Sequence, residues 1–171
     1  MVLILKGMSA NETRPHSSFV QRTPQLEKRR NELFDSLRSV IMNDQVVHAM
    51  SIVPRELFVG TETRMSAYDN RALPIGKGQT ISQPLIVASM TAALKIRSTD
   101  RVLEVGTGTG YQAAILSTLA HQVVSVERIE ALRDAAATRL TNLGYHNIDV
   151  ELAVDRLGWP DRAPYDAILV A

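Results

Sequence analysis

Apolar positions recur at helical spacing as soon as the chain leaves its polar first segment. Leu26, Leu33, Phe34, Leu37, Val40 and Ile41 fall on one face of a helix, and the Lys28-Arg29-Arg30 run lies largely off it, as a solvated face would. Thr23 followed by Pro24 predicts the helix start: an N-cap oxygen, then a proline whose missing N–H costs nothing in the first turn. A second, short helix is expected after Asn43 or Asp44, carrying Val46, Val47, Ala49, Met50 and Ile52 until Pro54 stops it. His48 lies inside this apolar stretch with no second histidine at ligand spacing, so it reads as a packed or surface side chain. Residues 60–80 hold Gly60, Pro74, Gly76 and Gly78 with no period of either kind and read as a long functional loop.

After that loop the pattern alternates. A helix is expected with Ser82 near its cap, Pro84 in its first turn and Ile86, Val87, Met90 and Leu94 as its buried face. Strands follow at Arg101 to Val105, Gln122 to Glu127, Ile148 to Leu152 and Asp166 to Ala171. Helices are expected between them at Tyr111 to Leu119 and Ile129 to Asn142, the latter stopped by Gly144. Strands alternating with helices predict an α/β fold: a doubly wound, mainly parallel sheet preceded by an N-terminal helical segment. The last strand is apolar at both alternations and is expected beside the first strand, in an interior position covered on both faces.

Composition narrows the class. The chain has 171 residues, 45% hydrophobic and 22% charged, which suits one globular domain of ordinary size. Nineteen Lys and Arg against 18 Asp and Glu give a formal charge of +1, so no broad basic surface for nucleic acid or an anionic membrane is expected. The absence of cysteine excludes disulfides, thiolate zinc sites and cysteine nucleophiles, and it suits a reducing cytoplasm. The four histidines are scattered, so no metal centre is expected. The apolar opening Met1 to Leu5 is interrupted at Lys6, short of a signal-peptide core, and Met8 is an alternative start. Residues 1–22 are expected to be a mobile tail.

The candidate chemistry lies in Leu103-Glu104-Val105-Gly106-Thr107-Gly108-Thr109-Gly110, which joins an apolar strand directly to a helix. Three glycines there allow a tight turn and close approach of a ligand. The third glycine stands one residue too early for the dinucleotide fingerprint, and no Gly-Lys-Ser/Thr follows as a P-loop requires, so NAD and nucleoside triphosphates are disfavoured. What remains is the E-V-G-x-G-x-G loop of methyltransferases that use S-adenosylmethionine, with Glu104, Gly106, Gly108 and Gly110 as cofactor-binding candidates. Glu127 ends the next strand 17 residues past Gly110, where a carboxylate can accept from both ribose hydroxyls. Tyr111 and Gln112 are read as either cofactor contacts or packing residues.

At this point the chain resembles the protein-L-isoaspartate O-methyltransferases. The resemblance rests on Val53-Pro54-Arg55-Glu56-Leu57-Phe58-Val59, Tyr68, Arg71 to Gly76, Gly78-Gln79-Thr80-Ile81-Ser82-Gln83-Pro84, the glycine loop with Gly110 to Ala114, Leu143-Gly144-Tyr145, and Leu157-Gly158-Trp159-Pro160 with Ala163 to Ile168. It implies a fold of the S-adenosylmethionine-dependent methyltransferase type and isoaspartyl-containing proteins and peptides as substrates. It also implies residues 23–80 as helices and substrate loop and residues 81–171 as a Rossmann-like cofactor domain. By the same resemblance Ser82 is the active-site hydroxyl, with Thr80 as its support. Two departures stand out. Ala153-Val154-Asp155-Arg156 replaces the Gly-Asp-Gly segment, so Val154 stands where an acid would face the adenine and Asp155 is the nearest replacement. Family members also continue past the strand that ends here at Ala171, so C-terminal strands are expected to be missing. Methyl transfer to a carboxylate needs no general base, since a carboxyl of pKa ~4 is already ionised at neutral pH. Alternatives left open are an inactive or cofactor-binding remnant and a methyltransferase for another small substrate; the oligomeric state is open too.

Overall fold

The computed structural model describes residues 21–153, 155 and 158–171. Nearly all of the expected tail, and Val154, lie outside them. Arg22, at the tail's end, is anchored on the buried Glu56 and pairs with Glu27.

Helix α1 (Pro24–Val40) starts as its Thr-Pro pair dictates, with Thr23 Oγ1 accepting from the Leu26 N–H at 3.2 Å. Leu26, Leu33, Phe34 and Leu37 are buried, but Val40 is 59% exposed. The helix ends there, the chain turns to extended at Ile41, and Ile41 is buried instead. Helix α2 (Asp44–Ile52) is capped by Asn43 Oδ1 on the Val46 N–H and buries Val46, Val47, Ala49 and Met50, while His48 is exposed. The basic run is not simply solvated. Arg30 lies 5.2 Å over the Phe34 ring and donates to the Ser51 carbonyl, and Arg29 pairs with Asp69 at 2.9 Å, so two of its three cations fasten helices and loop together.

Residues 60–80 are more ordered than an aperiodic loop. After a 3₁₀ turn at Arg55–Leu57 come a second at Thr61–Ser66 and an antiparallel hairpin, β1 (Leu73–Gly76) with β2 (Gln79–Ile81). Strands of four and three residues are too short to display a period of two. Helix α3 (Pro84–Leu94) buries Pro84, Val87, Ala88 and Thr91 and leaves Ile86 46% exposed. Its sequence is apolar nearly all round, so spacing could not select the buried face.

The sheet holds β3 (Arg101–Val105), β4 (Gln122–Glu127), β5 (Ile148–Leu152) and β6 (Ala167–Val170), all parallel, in the order β5-β4-β3-β6. The crossovers β3 to β4 and β4 to β5 run through α4 (Tyr111–Leu119) and α5 (Glu130–Asn142). Alternation sends Val102, Val123 and Leu169 into the large core shared with the helices, and Leu103, Val124 and Val126 into a smaller cluster with Ala153, Trp159 and Tyr165. That second face is only partly covered: Ile168 and Val170 of β6 are 56% and 69% exposed, against the expectation of cover on both faces. Of the hydrophobic side chains described outside the sheet, Ala153, Trp159 and Tyr165 pack there. Because β4 and β6 flank β3 on opposite sides, the chain reverses direction at β3, and a ligand crevice is expected outside its carboxyl end.

Candidate functional site

The crevice is where the glycine loop leaves β3. The Gly106 and Thr107 N–H groups donate to the Val126 carbonyl, holding the loop against β4. Gly106 has φ +101°, and a Cβ there would stand 2.8 Å from the Ala171 carbonyl oxygen; Gly110, at φ +86°, is the left-handed turn from which α4 starts. No side chain fits the first position, and only glycine takes either conformation without strain. The cleft has two lobes, of about 80 and about 390 Å³, which share Gln79, Gly106, Glu127 and Ala171. The smaller is walled by Thr80 and Ser82 on one side and by Gly108, Thr109, Tyr111 and Gln112 on the other. The larger opens between Val105, Val126, Arg128, Ala153 and Gly158.

Five of the eight site residues expected from sequence line the cleft: Thr80, Ser82, Gly106, Gly108 and Glu127; Gly110 shapes the loop behind it. Glu127 is nearly buried and already engaged, with Oε2 accepting from the Gly108 N–H at 2.9 Å and Oε1 from those of Arg128 and Ile129 at 2.9 and 3.0 Å. A carboxylate offers about four lone-pair positions, so roughly one remains for a ligand where the sequence suggested acceptance from two hydroxyls.

Two expected residues stay outside the cleft walls. Glu104 is fully buried beneath the loop, where the Ser125 hydroxyl donates to Oε2 while Oε1 has no partner; Ser125 in turn meets Thr107 Oγ1 at 2.6 Å. Burial pushes the Glu104 carboxyl up to about 8, with the negative charge of Glu127 adding to the rise and the Ser125 hydrogen bond opposing it. The sequence placed Glu104 against the cofactor because its motif begins there, but strand alternation turns this side chain under the helices. Asp155 is exposed and lines neither lobe.

Ser82 was expected near the cap of α3 and stands one residue before it, without capping: the N-cap is Gln83, without a side-chain bond, and the Leu85 N–H is satisfied from 15 residues upstream by Asn70 Oδ1 at 3.0 Å. The Ser82 hydroxyl is thereby released from helix duty at the cleft, while its carbonyl accepts from Arg55 Nη2 at 2.8 Å. Gln112 is nearly buried, donates Nε2 to Thr91 Oγ1 at 2.9 Å, and keeps Oε1 without a partner in the cleft wall. Thr107 and Thr109 occupy variable positions of the motif, and nothing in their spacing marked them. Arg55 and Asn70 act across distances that no local pattern encodes. Among the described residues no cluster of three metal-ligating side chains occurs, and no helix is long and apolar enough to cross a membrane.

The family model of Protein-L-isoaspartate(D-aspartate) O-methyltransferase matches residues 28–171. A protein-L-isoaspartate O-methyltransferase 2 of Pelobacter propionicus is 55% identical over 130 residues, covering 76% of this chain and 58% of the relative. A protein-L-isoaspartate O-methyltransferase of Dictyoglomus thermophilum is 48% identical over 149 residues, covering 86% and 68%. The chain thus spans less than two thirds of the first relative's length. A solved protein-L-isoaspartate O-methyltransferase superposes with TM-score 0.76 at 31% identity, over 82% of this chain and 47% of that one. A Plasmodium falciparum structure in complex with S-adenosyl-L-homocysteine shares the fold, with TM-score 0.65 at 20% identity over 91% and 72%.

Proposed function

Because the chain belongs to the protein-L-isoaspartate O-methyltransferase family, we propose that it transfers a methyl group from S-adenosylmethionine to the free carboxylate of L-isoaspartyl residues in damaged proteins. The observation that carries this reading is the meeting, in one cleft, of the Thr80 and Ser82 strand end with the glycine loop and Glu127. The cofactor fits the donor set. The remaining lone pair of Glu127 suits a ribose hydroxyl, and the unpartnered Gln112 Oε1 suits an ammonium donor. When bound, S-adenosylmethionine supplies a methyl group on a sulfonium sulfur, which keeps the bonding pair and becomes a neutral thioether.

The protein's own part is positioning. The acceptor is ionised at neutral pH, so no side chain has to take a proton, and a neutral hydroxyl orients the carboxylate without the tight hold of a cation. Ser82 has that hydroxyl in the cleft wall, and Thr80 precedes it by two positions on the same strand alternation. Arg55 lies buried behind Ser82 and lines neither lobe of the cleft. Absence of cysteine suits a cytoplasmic setting.

The test offers an isoaspartyl peptide and its normal aspartyl twin with methyl-labelled cofactor, and measures cofactor binding separately by calorimetry. Label on the isoaspartyl peptide alone is the expected result. Cofactor binding without transfer to either peptide would identify a cofactor-binding remnant, and equal labelling of both would overturn the assigned substrate. Ser82→Ala is expected to lower transfer at least tenfold with cofactor affinity kept within about threefold, a split that a deformed cleft would not give.

A further inference from the structure

Arg55 is among the largest fully buried side chains of the molecule, and among the described residues it forms no ion pair. A guanidinium taken out of water without a counter-charge is costly, and an apolar side chain of its volume would hold the fold together at less expense. What Arg55 has in place of a carboxylate is a set of three directional contacts. Nε donates to the Ala67 carbonyl at 2.8 Å, Nη2 donates to the Ser82 carbonyl at 2.8 Å, and the guanidinium carbon stands 4.7 Å from the centre of the Tyr111 ring.

These contacts are not scattered. Ser82 and Tyr111 belong to opposite walls of the smaller lobe of the cleft. Ala67 begins the turn through Tyr68 to Asn70, and Asn70 caps α3 directly after Ser82. One planar group thus fixes the backbone on which the Ser82 hydroxyl stands, relative to the first residue of the helix that leaves the glycine loop. Phe58, three residues on, packs edge-on against the same Tyr111 ring at 5.5 Å and keeps that ring from sliding out of the stack.

We infer that Arg55 is a positioning residue for the acceptor half of the site, acting through the Ser82 carbonyl and the Tyr111 ring without touching either substrate. The inference rests on Ser82 being the acceptor-side hydroxyl. Its chemistry requires arginine: the rigid fork spans two carbonyls while its face lies on a ring, and a lysine ammonium keeps the charge but cannot do all three at once.

The experiment compares Arg55→Lys, Arg55→Gln, Ser82→Ala and the double variant R55K/S82A in the full chain. It reads the dissociation constant of S-adenosylmethionine, that of an isoaspartyl peptide in the presence of S-adenosylhomocysteine, and kcat/KM for methyl transfer. Both Arg55 variants are expected to lose tenfold or more on the peptide side, in binding or transfer, while cofactor affinity stays within about threefold. The double variant is expected to be no worse than Ser82→Ala, because an arginine that works by placing a hydroxyl has nothing left to place once it is gone. Additive losses, equal losses of cofactor affinity, or unfolding of both Arg55 variants would overturn the inference and leave Arg55 a role in the fold alone. Wild-type behaviour of the Arg55 variants beside a damaged Ser82→Ala would overturn only the inference. A silent Ser82→Ala beside damaged Arg55 variants would remove the reading of Ser82 and the inference with it.

Discussion

A carboxylate that already accepts three backbone N–H groups is a different ligand from a free one, and the two glutamates of the glycine loop have to be tested with that in view. Removing Glu127 takes away the proposed ribose acceptor and also leaves the N–H groups of Gly108, Arg128 and Ile129 without their partner. At about 1.5–3 kcal/mol for the one charge-assisted bond left to a ligand, Glu127→Ala is expected to weaken S-adenosylmethionine binding by roughly tenfold to a hundred-and-fiftyfold and to lower the melting temperature as well. Glu127→Gln keeps one carbonyl acceptor and the side-chain volume, so it should lose affinity with a smaller loss of stability. Calorimetry beside thermal melts separates the two effects, and unchanged affinity in both variants would take Glu127 out of the binding site. Glu104 makes the complementary prediction in pH. Its carboxyl rises from the ordinary 4.5 to about 8 because burial leaves it one partner and an empty Oε1. The folded state therefore holds a proton that the unfolded chain releases, so this group's contribution to stability is full below pH 4.5 and falls as pH rises towards 8. Glu104→Gln, permanently neutral, should flatten that decline, giving a variant no more stable than the parent near pH 5 and more stable at pH 8 in urea denaturation series. A parallel decline in the variant would mean that other groups cause it.

At the scale of elements, the same comparison tells a cap from a catalytic hydroxyl. Asn70→Ala should cost about 0.5–2 kcal/mol, since it strips the Leu85 N–H of its partner at the start of α3, whereas Ser82→Ala should leave the thermal midpoint unmoved. Reversed outcomes would return Ser82 to the helix cap that its place before Pro84 suggests. That ambiguity shows where the sequence was legible. The strands Arg101–Val105, Gln122–Glu127 and Ile148–Leu152 and helix α4 match their expected bounds, because each is a run bounded by glycine, proline or a polar turn, and its interior has one clear preference. The places of the glycine loop and Glu127 at the cleft were legible for the same reason: they are set by local backbone. The hairpin was not, being short and turned at Lys77, a non-glycine residue with φ +55° between two glycines. Nor was the buried face of α3, where Ile86 and Val87 are equally apolar and only the neighbouring α2 and β6 decide which one is covered. The contacts of Asn70 and Arg55 span 15 and 27 residues, to Leu85 at the start of α3 and to Ser82 just before it, and no periodicity encodes a long-range side-chain bond.

For the molecule as a whole, the question is whether the helical layer of residues 21–80 and the sheet of residues 81–171 behave as one body. A single core cluster runs from Leu26 in α1 to Leu169 in β6, and the join is made by the buried Phe58 on Tyr111 and the buried Arg55 on Ser82 and Tyr111, with the exposed Asn70 bonded to the start of α3. Glu56 ties the same layer inward, accepting from the Tyr68 hydroxyl and from Arg22. Such a join predicts one cooperative transition, and the chain carries its own probe of it. Trp159 is the only tryptophan and packs in the small cluster on the second face of the sheet, away from α1 and α2, whose helices weigh heavily in the far-ultraviolet circular dichroism. Denaturant unfolding followed by Trp159 fluorescence and by helical ellipticity should therefore give coincident midpoints. Phe58→Ala, which opens a cavity worth about 3–5 kcal/mol at the join, should move both midpoints down together. If instead the helical signal were lost first and the variant shifted that phase alone, the N-terminal layer would be a separately melting unit. Ser82, held from that layer by Arg55, would then be the part of the cleft that loosens while the glycine loop still stands.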